Sequence, residues 1–152
     1  MEDILVTFPG GKRVDAHVGQ FVVPTDQPAE LGGEGTAVAP FDLFLASLAT
    51  CAGIYVLGFC QARGLSTEGL GMRLSVAETD PATKLPIRIR VELRLPPGFP
   101  EHLRVAVLRA AQSCKVKKVI AAQPVIDVIA APAAAWSDRP FGDRDSAVKG
   151  AA

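Results

Sequence analysis

The clearest pattern along this chain is the strict alternation in IRIRVELRL, residues 87–95, where apolar Ile87, Ile89, Val91, Leu93 and Leu95 interleave with Arg88, Arg90, Glu92 and Arg94. A period of two predicts a strand with one wet face. Gly71 to Glu78 alternates in the same sense, and TDPATKLP between the two predicts a hairpin turn. Near the start, Ile4 to Phe8, Val14 to Val18 and Phe21 to Val23 predict a small β-meander turning at Pro9-Gly10-Gly11. TDQPAELGGEGTAVAP, rich in Gly and Pro, predicts a loop, with flexibility as the reading of its glycines. A long helix is expected from Pro40, whose fixed φ suits a first turn, to Arg63-Gly64, where a cation and a glycine mark an end. EHLRVAVLRAAQ, residues 101–112, places Leu103, Val107, Leu108 and Ala111 on one helical stripe. Lys115 to Ala122 predicts a short third helix and Val125 to Ile129 a final strand. Residues 131–152, which lack periodicity, are expected to be a weakly anchored tail pinned by Trp136, leaving one domain over residues 1–130.

The long helix contains Leu43 to Cys60, eighteen residues without a formal charge, against the roughly 20 that span a bilayer. Ser47, Thr50, Tyr55, two glycines and two cysteines lie inside it, and no Lys/Arg cluster flanks it. The pattern favours a buried central helix over a membrane span. A helix apolar all round in so small a chain needs a second subunit on its far side, which predicts an intertwined homodimer. The class expected is α+β.

Lys/Arg and Asp/Glu balance at 16 each among 152 residues, so no global charge attracts nucleic acid or an anionic membrane. The balance is local: residues 1–76 hold 4 basic and 8 acidic side chains, residues 77–152 hold 12 and 8. Three cysteines, an odd number, and an N-terminus without a basic and then apolar segment point to a reducing cytoplasm. His17 and His102 stand isolated and no C-x2-C or H-x3-H spacing occurs, which predicts no metal site. LGGEG lacks the GK[ST] of a phosphate cradle.

Cys51 and Cys60, nine residues apart on one helix, face opposite ways at about 100° per residue and cannot pair with each other. Cys60 reads as a small buried hydrophobe. Cys51 has Ser47 and Tyr55 one turn to either side and Phe44 two turns before, so a core thiol and an active one both fit. Cys114 opens CKVKK, where a helix N-terminus and three lysines favour a thiolate, the alternative being a surface helix start whose lysines face water.

TDQP, LGGEG, APFDLFLASLATCAG and a second cysteine 63 residues later in SCKVKK together closely resemble the OsmC/Ohr family of thiol peroxidases, over roughly residues 14–129. The most specific part is P-x-[acid]-L-F-L-x-x-L-x-x-C at Pro40 to Cys51. The resemblance implies a cytoplasmic α+β homodimer with two sheets wrapping two central helices and paired active sites at the interface. It implies that Cys51 attacks an organic hydroperoxide and becomes a sulfenic acid, and that Cys114 resolves it to a disulfide. An external dithiol, lipoyl-type in the Ohr branch, would reduce that disulfide, with no bound cofactor. Arg13 is the nearest match to the Ohr arginine, and Asp42 stands nine residues before Cys51 where Ohr has glutamate ten before; Phe41 occupies the glutamate's place. Phe44 and Tyr55 would receive an apolar substrate. Lys115 replaces a proline common after the late cysteine. The displaced acid points to an OsmC-like branch and leaves a second hypothesis, a non-catalytic dimer that binds an apolar ligand or senses redox state.

Overall fold

The computed structural model describes residues 3–130. They form β1 (Ile4–Gly10), β2 (Arg13–Val18), β3 (Phe21–Val23), α1 (Pro40–Gln61), β4 (Gly71–Thr79), β5 (Pro86–Arg94), α2 (Arg104–Gln112) and α3 (Lys115–Ala122), with single 3-10 turns at Ala29–Leu31 and Glu101–Leu103. The described residues gather into two compact units, one of residues 3–43 with 126–130 and one of Phe44–Val125. The expected tail, with Trp136, lies outside the described residues.

In the first unit β1, β2 and β3 form the antiparallel meander, with Thr7 opposite Asp15, Gly10 opposite Arg13 and a bulge between. The turn therefore falls one residue later than Pro9-Gly10-Gly11 suggests. The loop that follows is organised by Asp26, buried to 1% exposure. Its carboxylate accepts the Gln27, Glu34 and Thr36 amides and the Thr36 hydroxyl, at 2.8, 3.2, 3.0 and 2.8 Å. The two Thr36 bonds, ahead of the others, hold the carboxyl below its ordinary acidity range. Gly33 lies so close to Gln27 that an added Cβ would overlap the Gln27 carbonyl, and Gly32 ends the 3-10 turn at φ 81°. These glycines answer to close approach and a left-handed turn, which corrects the reading of LGGEG as flexible.

In the second unit β4 and β5 form the expected hairpin. Leu74 pairs with Val91 and Met72 with Leu93, while Arg73 meets Glu92 at 2.7 Å and Arg88 meets Glu78 at 3.0 Å on the wet face. Asp80 closes the turn by accepting the Ala82 and Thr83 amides. Along α1, Leu48, Ala52, Val56 and Cys60 recur every fourth residue and are the buried ones. Val56 and Cys60 join Phe99 and Val107, with Leu70, Met72, Leu93 and Leu95 around them, while Leu48 and Ala52 join Cys114. Cys60 is thus a core hydrophobe, as its spacing suggests. By length and composition α1 could also cross a membrane. At the α1 end, Arg63 donates to the Phe59 carbonyl and Gly64 takes φ 62°.

Two expectations are corrected. Leu108 is exposed, because a 3-10 turn takes Glu101–Leu103 and the α2 stripe that packs is Val107 with Ala111. Val125–Ile129 is not a strand: among the described residues nothing pairs with it, and Val125, Ile126, Val128 and Ile129 are 83–94% exposed. A β-branched run forms a strand only where a sheet edge supplies hydrogen bonds.

Substituting Gly33→Ala is expected to lower stability by about 1–3 kcal/mol, the usual cost of forcing an atom into a packed position. Urea unfolding of both chains measures this, and an unchanged midpoint would contradict the close approach to Gln27.

Candidate functional site

Cys51 lies in the middle of α1, between the buried Leu48 and Ala52, and is itself half-buried. Phe44 and Tyr55, seven residues before and four after, share its side of the helix within about 20–40° at 100° per residue. They remain 40% and 36% exposed. The thiol therefore sits at the edge of the core cluster, partly buried, on a side of α1 that it shares with two partly exposed aromatic rings.

Across from it stands the start of α3. Cys114 is the residue that caps this helix, with φ −48° and ψ 125°, and its Sγ accepts the Lys117 amide at 3.5 Å. A sulfur thus takes the place of the oxygen that usually satisfies a third-position amide. Cys114 is 1% exposed and packs with Leu48, Ala52, Cys51 and Val116, beside Met72, Leu74 and Ile89 of the hairpin. The Leu48 carbonyl lies 3.8 Å from its Sγ. Both cysteines are free thiols.

The two sulfurs share the free amides of one helix end unequally. The Val116 amide and the Cys114 thiol favour ionised Cys51 most; burial opposes them, the Lys115 amide and charge count for less than burial, and the pKa falls below the ordinary thiol value. For Cys114 burial is the largest effect and pushes its pKa up. The Lys117 amide opposes this, while the hydrogen bond and charge of Cys51 add to it. Of the two readings of the CKVKK start, a surface position is corrected because Cys114 is buried, and that burial outweighs the influence of the helix start and raises the pKa of the thiol. The directions of the two shifts make Cys51 the more acidic thiol, while the Cys114 thiol has the Leu48 carbonyl as its acceptor.

Arg13 and Asp42 belong to the meander's unit. Arg13 pairs with Asp15 at 3.3 Å and, with Phe8, Lys12, Gln27 and Leu31, lines an open depression of about 490 Å³. The other oxygen of Asp15 is buried without a partner. Asp42 is exposed in the first turn of α1, where its charge complements the helix dipole. Sequence reasoning missed two participants, the Lys115 and Val116 amides. Their signal was positional: the first amides of any helix lack an internal acceptor. Among the described residues no group of three His, Cys, Asp or Glu gathers.

A neutral alkylating agent applied over a pH series is expected to label Cys51 with a midpoint below the usual thiol range of about 8.5, and Cys114 only at higher pH. Raising pH should thus recruit the two thiols in that order. Peptide mapping reads the order, and labelling of Cys114 first would contradict it.

Comparison with known proteins follows the same outline. No curated protein matches the chain. Solved structures share its fold at low identity. A protein assigned to the osmotic-stress and detoxification response in Psychrobacter arcticus is 21% identical, with a TM-score of 0.67 over 78% of this chain and 87% of its own. An OsmC-like protein from Mycoplasma pneumoniae is 16% identical, with a TM-score of 0.60 over 78% and 86%. A third, from Legionella pneumophila and described as the organic hydroperoxide resistance protein OsmC, is 23% identical, with a TM-score of 0.50 over 79% and 90%. The family model for OsmC-like proteins matches residues 33–129, a span that includes both cysteines of the site, and the chain belongs to that family.

Proposed function

We propose that this chain is a thiol-dependent reductase of organic hydroperoxides, with Cys51 as the attacking and Cys114 as the resolving cysteine. One observation carries the reading: a partly buried thiol, with Phe44 and Tyr55 on its side of α1 and a pKa below the ordinary value, packs in one cluster with a buried second thiol. Membership of the OsmC-like family supports it, as does the hydroperoxide resistance ascribed to the Legionella protein.

The Cys51 thiolate attacks the terminal oxygen of ROOH. The O–O bond breaks heterolytically, an S–O bond forms, and the leaving alkoxide takes a proton to become ROH, so that Cys51 is oxidised to a sulfenic acid by two electrons. Oxidation removes the Cys51 negative charge, one of the influences that had kept Cys114 protonated. Cys114, as thiolate, then attacks the sulfenic sulfur; an S–S bond forms and hydroxide leaves as water. An external dithiol of lipoyl type returns both thiols by exchange and is itself oxidised to a disulfide. Resolution matters because an unresolved sulfenic acid proceeds in excess peroxide to the irreversible sulfinic acid. No bound cofactor is needed. Phe44 and Tyr55 favour an apolar R group, and by family resemblance Arg13 is proposed as the cation that holds the thiolate, with Asp42 as its acidic partner.

The same reading includes a cytoplasmic homodimer. Its support is the apolar surface that one chain leaves uncovered: Phe41, Phe44, Ile54 and Tyr55 on α1, and Val125, Ile126, Val128 and Ile129 after α3. Burying such side chains is worth roughly 1.5–3 kcal/mol each.

After one equivalent of cumene hydroperoxide the intact chain is expected to lose two hydrogens in mass, with the new bond mapping to Cys51–Cys114. Cys51→Ser should abolish turnover, and Cys114→Ser should permit one oxidation and then stall. An unchanged mass with all three thiols still titratable would reject the reductase and favour a dimer that binds an apolar ligand.

A further inference from the structure

The reducing half of the proposed cycle leaves one choice open: a disulfide has two sulfurs, and a thiol can enter at either. The fold treats the two differently. Cys114 is 1% exposed, and its cover comes from its own chain: Leu48 and Ala52 are buried with it, and Met72, Leu74 and Val116 pack against that cluster. Assembly with a second copy adds to this cover rather than removing it. The Cys114 sulfur is also tied from two sides, to the Lys117 amide at 3.5 Å and to the Leu48 carbonyl at 3.8 Å. Cys51 is only partly buried, on the side of α1 that carries the partly exposed Phe44 and Tyr55.

Two criteria point to opposite sulfurs. By acidity Cys51 is the easier one to expel, which favours entry at Cys114. By access the entry is at Cys51. Thiol exchange has a Brønsted sensitivity of about 0.4–0.5, so one unit of acidity between the sulfurs changes the rate roughly threefold. Entry at Cys114 waits for the first turn of α3 to lift. Minor forms of a folded chain are populated at about 0.1–10%, which slows that route roughly tenfold or more. Access is the larger effect.

We propose that the disulfide is reopened from the Cys51 side, with the reductant bonding to the Cys51 sulfur and Cys114 as the sulfur expelled. This deepens the reading of Cys51–Cys114 as the oxidised form of the site and rests on it. A reductant thiolate attacks the Cys51 Sγ; a new S–S bond forms and the Cys51–Cys114 bond breaks. Cys114 leaves with the electron pair, where the Lys117 amide donates to it, and takes a proton from water to return as the thiol on the Leu48 carbonyl. The second thiol of the reductant, as thiolate, then attacks the reductant sulfur of the mixed disulfide. The reductant closes to its own disulfide and Cys51 leaves, a step that its acidity favours.

The experiment prepares the full chain as the disulfide with one equivalent of cumene hydroperoxide and, in parallel, with diamide, which oxidises neighbouring thiols without a peroxide. Mercaptoethanol, a monothiol, is added briefly, and guanidinium chloride with excess N-ethylmaleimide then stops the exchange and marks every free thiol, Cys60 among them. Peptide mapping of the singly modified chain should place mercaptoethanol on Cys51 and maleimide on Cys114, in roughly tenfold excess over the reverse. A disulfide unfolded before the thiol is added should lose this preference. Equal entry at the two sulfurs of the folded chain, entry at Cys114, or a preference that survives unfolding overturns the proposal. Failure of both oxidants to form the disulfide overturns it as well. A disulfide formed by diamide but not by hydroperoxide, and entered at Cys51, would reject the reductase and leave this assignment standing. One formed by hydroperoxide and entered at Cys114 would do the reverse.

Discussion

The arrangement depends on one contact, the docking of the first turn of α3 against the middle of α1. A helix start carries amides without internal partners, and here the Lys117 amide goes to the Cys114 sulfur while the Val116 amide is the largest influence lowering the pKa of Cys51. Because one thiol is half-exposed and the other almost wholly buried, the same helix end produces opposite acidities. Each thiol is among the influences on the acidity of the other. No ion pair between the two cysteines is required, only a difference in burial across one pair of sulfurs.

That contact is possible because α1 offers small residues where it must be approached. Ala52 is buried beside Cys51, and Cys114 packs on Leu48 and Ala52 with Met72 and Leu74 of β4 against the same cluster. Further along α1, Val56 and Cys60 lock the same face to Phe99 and Val107. The core that orders the helix is therefore contiguous along α1 with the cluster that orders the thiols, and a substitution that loosens one face of α1 will move both.

Much of this was legible in the sequence, for reasons specific to each element. The hairpin of β4 and β5 was readable because alternation persisted through both strands, and α3 is found over the span read from the sequence, Lys115 to Ala122. Cys60 was readable from angular spacing alone. Other features were not. Gly33 is required by a backbone crossing between residues distant along the loop, which composition does not encode. The acidity of Cys114 was misjudged because local charge is visible in sequence while burial is not. Val125–Ile129 has strand composition, but a strand also needs an edge, and composition says nothing about whether one is present. Pairing of Cys51 with Cys114 came from family resemblance, since nothing in a spacing of 63 residues brings two thiols together.

The most direct test of the unequal sharing is to ask which sulfur reacts first. Substoichiometric hydroperoxide added in the presence of a sulfenic-acid trap such as dimedone, with the Cys114→Ser chain so that no disulfide competes, reports the site of first oxidation by peptide mapping. The account predicts an adduct on Cys51 and none on Cys60, and no adduct on Cys114 in a parallel Cys51→Ser chain. An adduct on Cys114 in that second chain, formed as fast as the one on Cys51, would contradict the claim that burial and the α3 amides divide the two thiols into one that attacks and one that waits.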